Sequence, residues 1–384
     1  MRRSAAVLLA LSAGCGRADF TAITATRAGA HEASLAPFGD GLVAAWYDTR
    51  DGHPEIYLRR LDADGRPAGP ELRLTTTNGA AYEADVQPLG STLIVGWYDK
   101  APDGALVPRL GAWTASGASL WTKALSSKGR NTVVRTGAGA IFAAWIEDET
   151  AERAGLWAGW WRGDGSELIA PRRLADAGRT TWTLNAAIDP AASPGRPRAW
   201  VAFDAKAGTQ AEELFVVDIG EKETRVVQLT PDDGFASKYP DVALAGDRAA
   251  VTWFDVKDGN EEVYLAAGGR DLFDGSGRLH ARRVTMTPGH SIGAYLAWNG
   301  DRLGLAWCDD SDGGQHDVFV QAFAPVGEPA GPPMRVTQTP VSSLIPAIEP
   351  WKSGFALAWN EYEGASAASH GGDSRSQIAF RVIQ

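Results

Sequence analysis

The phrase Trp46-Tyr47-Asp48-Thr49-Arg50-Asp51-Gly52, closed by Glu55-Ile56-Tyr57, returns almost unchanged as Trp253-Phe254-Asp255-Val256-Lys257-Asp258-Gly259 followed by Glu262-Val263-Tyr264. Apolar residues before the Asp and after the Glu read as two strands, and Asp and Gly between them supply the turn. Weaker copies place the marker at Trp97, Trp145, Trp307 and Trp359, with Ala202 of Ala202-Phe203-Asp204 filling the gap. Two residues after each marker comes an acid: Asp48, Asp99, Glu147, Asp204, Asp255, Asp309 and Glu361. Eleven residues before the marker an apolar strand residue recurs, as at Leu35, Val86, Val134, Val242, Leu296 and Ile348. A third strand follows the hairpin, and a fourth carries a hydrophobic-Thr ending: Leu74-Thr75, Leu229-Thr230, Val284-Thr285 and Val336-Thr337. Four short strands at a period of about 50 residues describe a blade that buries its faces only against its neighbours. The spacing therefore predicts an all-β chain, a single seven-bladed β-propeller over residues 20–384.

The last repeat stops at its third strand, Ile378-Ala379-Phe380-Arg381-Val382. The missing fourth strand is found at the other end of the chain, where Phe20-Thr21-Ala22-Ile23-Thr24 lines up with Glu71-Leu72-Arg73-Leu74-Thr75. The N-terminal strand is expected to complete the last blade and so remove an exposed sheet edge. Composition agrees: 44 Gly and 21 Pro suit a turn-rich chain, and 15 Trp suit strands. A formal charge of −10 argues against nucleic acid as a partner, because phosphate binding needs clustered Lys and Arg.

Residues 1–14 open on Met1-Arg2-Arg3 and continue as a small apolar run, a pattern expected of a signal peptide too short to span a bilayer. Leu11-Ser12-Ala13-Gly14-Cys15 resembles the lipobox of bacterial lipoproteins, in which the Cys becomes the lipidated first residue. That resemblance implies a lipidated Cys15, a short linker over residues 15–19, and an outer-membrane or cell-surface location, the periplasmic side included; an ordinary signal peptide cut nearby is the alternative. The other Cys, Cys308, lies in an apolar strand and reads as a small buried hydrophobe.

Arg50-Asp51-Gly52-His53-Pro54-Glu55-Ile56-Tyr57 with the later Arg73-Leu74-Thr75 resembles the propeller repeat of the TolB C-terminal domain and its relatives, of PD40 type. The Ser-Pro-Asp-Gly hairpin typical of that family is replaced here by Phe38-Gly39-Asp40-Gly41 and its counterparts. The resemblance implies the fold and an envelope location.

The seven acids after the markers are read as turn caps that accept backbone N–H groups. The acids that begin the third strands, Glu55, Glu262 and Asp317, are expected to pair with nearby cations such as Arg50 and Lys257. Carboxylates crowd at Asp309, Asp310 and Asp312, a calcium candidate that lacks the full spacing of a known calcium loop. The six His residues show no metal-ligand spacing on one element, and no metal is assigned. The Asp box and Arg-Ile-Pro motif of sialidases are absent, although Glu32, Glu83 and Asp241 are candidates for paired carboxylates across the channel mouth. Loops entering the innermost strands break the repeat with His31, Glu32, Tyr82, Glu83, Trp182, Lys238, Tyr239 and His290, and these are the expected ligand contacts. With no catalytic motif beside them, the expectation is a monomeric, non-catalytic scaffold for an envelope protein or glycan, held to the membrane by its lipid anchor. A propeller glycoside hydrolase is the alternative.

Overall fold

The computed structural model describes residues 20–384 apart from 26, 28, 138, 151–152, 179–180, 182, 194, 207, 278 and 364–374. Its strands form seven four-stranded antiparallel sheets. Blade 1 runs outward through Ala30–Phe38, Gly41–Asp48, Glu55–Leu61 and Leu72–Arg73, and the next five blades repeat that order. The innermost strands of successive blades touch all the way round, Ser342–Trp351 of blade 7 returning to Ala30–Phe38 of blade 1. This is the seven-bladed propeller that the repeat predicts.

Blade 7 consists of Ser342–Trp351, Gly354–Glu363, Arg375–Ile383 and, from the other end of the chain, Thr21–Ala22. Thr21 lies opposite Phe380 and Ala22 opposite Ala379, and Ile23 N donates to Ile378 O at 2.9 Å. The ring is closed as expected, by strand pairing between the two ends.

The core is divided into seven clusters, each shared by two neighbouring blades. Second strands are therefore buried on both faces, and Gly41–Asp48 has no exposed residue. The marker Trp stands in that strand and stacks on the aromatic residue opposite in the third: Trp46 on Tyr57, Trp253 on Tyr264, Trp307 on Phe319. Its buried indole N–H needs an acceptor. The acid two residues on provides it, at 3.2 Å for Trp46–Asp48, 2.8 Å for Trp97–Asp99, 3.5 Å for Trp145–Glu147, 3.4 Å for Trp253–Asp255 and 2.5 Å for Trp359–Glu361. The other oxygen accepts the backbone N–H two residues later, as in Asp48–Arg50 at 2.9 Å and Asp255–Lys257 at 2.9 Å.

Blade 4 shifts the expected register by one residue. Phe203 stacks on Phe215, and Ala205 pairs with Glu213 as Asp48 pairs with Glu55. The marker position is thus Phe203, not Ala202, and the acid position is Ala205, not Asp204. Phe has no N–H to satisfy, and this blade has no carboxylate there. Asp204 instead takes the place that Tyr47 holds in blade 1.

The acids that open the third strands also differ from expectation. Glu55, Glu213 and Glu262 are fully buried, and Arg50 and Lys257 pair with Asp48 and Asp255 instead. Glu55 is held by Arg73 of the outermost strand at 3.1 Å and by Thr77 N at 2.7 Å. The Thr of the hydrophobic-Thr ending accepts the third strand's N–H through Oγ1, at 2.8 Å for Thr75–Ile56, 2.9 Å for Thr230–Leu214, 2.8 Å for Thr285–Val263 and 2.9 Å for Thr337–Val318. The hydroxyl donates in turn to the acid, as Thr230 does to Glu213 at 2.6 Å. The outermost strands of blades 1, 5 and 6, with two ladder residues each, are clamped in this way, and so is the longer Thr224–Gln228 of blade 4.

Candidate functional site at the channel mouth

Six of the seven innermost strands carry a β-bulge near their start, with register shifts between His31 and Ser34, Tyr82 and Asp85, Arg130 and Val133, Lys238 and Asp241, Ile292 and Tyr295, and Leu344 and Ala347; Leu184–Ile188 of blade 4 pairs without one. The first bulged residue is left-handed in each: Glu32 (φ 53°), Glu83 (52°), Asn131 (55°), Tyr239 (54°), Gly293 (62°) and Ile345 (55°). Only one is Gly, although a side chain in this region costs about 1–3 kcal/mol. The bulge re-aims the chain where it meets the channel mouth. Glu32, Glu83 and Tyr239, expected on entering loops, are thus held by strand geometry at equivalent places in blades 1, 2 and 5.

Two of these bulges are fastened from the preceding blade by a buried side chain. Glu32 N donates to Asn360 Oδ1 at 2.9 Å, and Tyr239 N to Asp204 Oδ2 at 3.0 Å. Asn360 and Asp204 stand at the same step of their second strands, one residue past the marker. Tyr47, Tyr98, Ile146, Phe254 and Cys308 occupy that step in the other five blades, so these residues form the buried floor of the mouth.

Rings run across the floor from blade 7 to blade 2. His31 is buried, stacked on Tyr47 at 5.0 Å and facing Tyr362 at 5.5 Å. Tyr47 meets Tyr82 edge-on at 5.3 Å, Tyr82 stacks on Tyr98 at 5.6 Å, and the Tyr98 hydroxyl lies 3.5 Å from Glu83 Oε1. On the blade 5 side Tyr239, the most exposed of these rings, stacks on Phe254 at 5.4 Å. Burial raises the hydroxyl pKa values of Tyr47 and Tyr98, and the charges of both Glu32 and Glu83 raise them further. Tyr239 is raised by burial, then by Asp204, Glu83 and Glu32. The mouth has a floor of largely buried tyrosines, with Tyr239 exposed above it and Glu32 and Glu83 at its bulges.

Lys238 precedes the Tyr239 bulge, half-buried and close enough to Asp204 to favour its ionised form. His290 turns away to Glu261, and its pKa is raised by that hydrogen bond. Trp182 and Cys15 lie outside the described residues. The site residues that sequence reasoning missed are Tyr47, Tyr98, Tyr362 and Asp204. The signal for the first two was present, since each is the middle residue of Trp-Tyr-Asp.

Asp241 belongs deeper, in the channel wall. Its carboxylate accepts Val242 N at 2.9 Å and, in the next blade, Leu296 N at 2.7 Å. Asp85 does the same for Val134 N at 2.8 Å and binds Arg135 Nη1 at 2.7 Å. Burial pushes the carboxyl of Asp241 up to about 6 and that of Glu349, which also lines this wall, up to about 8. The calcium candidate is dispersed: Asp309 accepts Ser291 Oγ at 2.6 Å, Asp310 accepts His290 N at 2.6 Å, and Asp312 pairs with Arg335 at 2.6 Å. Among the described residues no three His, Cys, Asp or Glu side chains form a group that could hold a metal ion. A cavity of 710 Å³ lies at the opposite end of blades 1 and 2, and Arg60 is its only charged lining residue. It offers less convergent chemistry than the mouth, where the strained bulges, rings and carboxylates meet.

No family model matches the chain, and no curated protein matches it by sequence. Solved structures match the fold. An ulvan lyase of a polysaccharide lyase family, bound to -[GlcA(1-4)Rha3S]-, is 8% identical with a TM-score of 0.61, covering 94% of this chain and 95% of that one. A Penicillium chrysogenum α-L-arabinanase complexed with arabinobiose is 13% identical, TM-score 0.50, over 78% of this chain and 92% of that one. A prolyl endopeptidase is 16% identical, TM-score 0.53; the match covers 86% of this chain and 45% of the peptidase. Sugar-bound and peptide-cleaving proteins share the architecture, so the fold does not choose between ligands.

Proposed function

We propose that the protein is a non-catalytic glycan-binding propeller of the cell envelope that seats its ligand at the channel mouth. The observation that carries this reading is the exposed ring of Tyr239, stacked on Phe254, with half-buried Tyr82, Glu32 and Glu83 at the same turn of the innermost strands, over a floor of buried rings. Aromatic faces pack against the C–H faces of pyranose rings, and carboxylates accept hydrogen bonds from neighbouring hydroxyls. Two of the similar folds were solved with saccharides bound, a precedent for the ligand class. Immobilised-glycan binding by wild type, Tyr82→Ala and Tyr239→Ala tests the reading. Loss of at least tenfold in affinity is expected, with a cooperative melting transition kept in both variants and lowered in Tyr82→Ala, whose ring packs against Tyr47 and Tyr98; binding equal to wild type in both variants would remove the mouth as the site.

One observation favours hydrolysis as a second reading: Glu32 and Glu83 sit at equivalent bulges of adjacent blades, and both act on Tyr47 and Tyr98. Chromatography of a bound oligosaccharide after incubation separates the two, because shortened products that vanish in Glu83→Gln would make this an enzyme. Envelope anchoring rests on residues 1–15, with lipid on Cys15 as the proposed tether. Cys15→Ser should move the protein from the membrane to the soluble fraction or stop its processing, and unchanged partition would refute the tether.

A further inference from the structure

The strand that closes blade 7 also fixes where a tether on Cys15 can pull. Ser342–Trp351 runs from its bulge at the mouth to the opposite, far face, where the chain turns between Trp351 and Gly354 and comes back as Gly354–Glu363. Arg375–Ile383 then crosses once more, with Arg375 opposite Glu363 on the mouth side and Ile383 opposite Phe355 on the far side. Thr21 and Ala22 pair antiparallel to it, Ala22 at Ala379 and Thr21 at Phe380, after Ile23 N has met Ile378 O. Toward lower numbers the chain therefore leaves the blade heading for the far face. Phe20 fastens it on that course by its edge-on contact with Trp359 at 5.7 Å.

Reach then separates the two faces. Cys15 lies five residues before Phe20, and five extended residues span at most about 17–18 Å. The far end of the strand at Ile383 is three ladder steps from Phe380, roughly 10 Å. Its mouth end at Arg375 is five steps away, roughly 17 Å, so a linker doubled straight back along the blade would be spent before it passed the mouth. Charge does not choose between the faces, because on the far side of blades 7 and 1 Asp64 pairs with both Lys352 at 3.4 Å and Arg66 at 2.9 Å.

We infer that the far face lies against the lipid surface, held there by the short linker, and that the channel mouth opens away from the bilayer. The inference rests on the reading of Cys15 as a lipid tether. Its consequence for the ligand is positional: what the mouth binds comes from the space facing the membrane, not from headgroups of the leaflet that carries the anchor.

Cys308 is buried, so a cysteine introduced on the surface of the full lipidated chain takes a fluorophore alone. Asp301→Cys on the far face of blade 6 and Glu221→Cys on the far face of blade 4 are compared with Met286→Cys on the mouth side of blade 5, all three positions being exposed. In phosphatidylcholine vesicles with nitroxide-labelled headgroups, both far-face labels should be quenched at least threefold more than the Met286→Cys label, at low and at high salt alike. Quenching strongest at Met286→Cys would mean that the mouth faces the lipid, and quenching at Asp301→Cys without Glu221→Cys that the molecule lies on its rim; either overturns the inference. An insert of about 20 Gly and Ser residues after Gly16 adds roughly 25 Å of mean span and should even out the three signals. A preference that survives the insert, or one that is lost at high salt, shows that the linker does not set the orientation and overturns it as well. If wild type and Cys15→Ser partition alike between membrane and soluble fractions, the tether is refuted and the orientation falls with it, while binding at the mouth is untouched.

Discussion

Asp204 shows how one residue can carry the chemistry of another. Its counterpart Asn360 accepts Glu32 N–H and donates through Nδ2 to Ala30 O at 2.8 Å, so both ends of the amide are used. Asp204 accepts Tyr239 N–H in the same manner, but its second oxygen has nothing to donate unless it is protonated. Burial first of all pushes this carboxyl up to about 6 from an ordinary value of 3.8. A folded pKa above the unfolded one means that the stabilisation is complete below pH 4 and is lost as pH rises through 6. Holding the charge at neutral pH therefore costs on the order of 2–3 kcal/mol. Asp204→Asn should raise the melting temperature clearly at pH 8 and hardly at pH 5. A thermal scan at both values checks this, and equal effects at the two would show that the carboxyl does not titrate in the folded protein.

At the scale of the strand, the N-terminal segment closes the ring by more than its two ladder residues. Ile23 is fully buried in the cluster between blades 7 and 1, Phe20 meets Trp359 edge-on at 5.7 Å, and Thr24 Oγ1 accepts Ile378 N at 3.3 Å, the same clamp that Thr75 makes in blade 1. Burying one side chain such as Ile23 contributes about 1.5–3 kcal/mol, and a clamp hydrogen bond about 1. Removal of residues 20–27 should lower the melting midpoint by several degrees and leave an unpaired strand edge. Thr24→Ala alone should cost about 1 kcal/mol in urea. A truncated chain that melted like the intact one would contradict closure by this strand. The pairing was legible because Thr24 repeats Thr75 at the period of the blades. The misreading of blade 4 has an equally local cause: Ala202 and Asp204 keep the two-residue spacing of marker and acid, but the buried position belongs to Phe203, as its stacking on Phe215 shows.

Across the whole molecule, buried carboxyls set the pH response. Desolvation raises Glu213 to about 7, because blade 4 has Gln228 where blade 1 has Arg73, and Asp232 and Asp233 lie nearby. With Asp204 and Asp241 at about 6 and Glu349 at about 8, four groups favour the protonated form on folding. Their stabilisation is present below pH 4 and is lost between 6 and 8, while carboxyls with lowered values, such as Asp189 beside Arg270 and the hydrogen-bonded Asp309, lose theirs only in stronger acid. The melting temperature should therefore peak near pH 5 and fall steadily to pH 8; a plateau across that interval would show that these carboxyls are solvated as in the unfolded chain. The repeat period, the count of blades and the closing strand are set by the sequence alone, because each blade buries its faces only against copies of itself, and that need is written into every repeat. Which polar residues meet was decided by the tertiary structure. Glu32, Glu83, Asp204 and Tyr239 come from different blades and share the mouth only because the innermost strands, six of them bulged, gather round one axis, a convergence that no spacing within a single blade encodes.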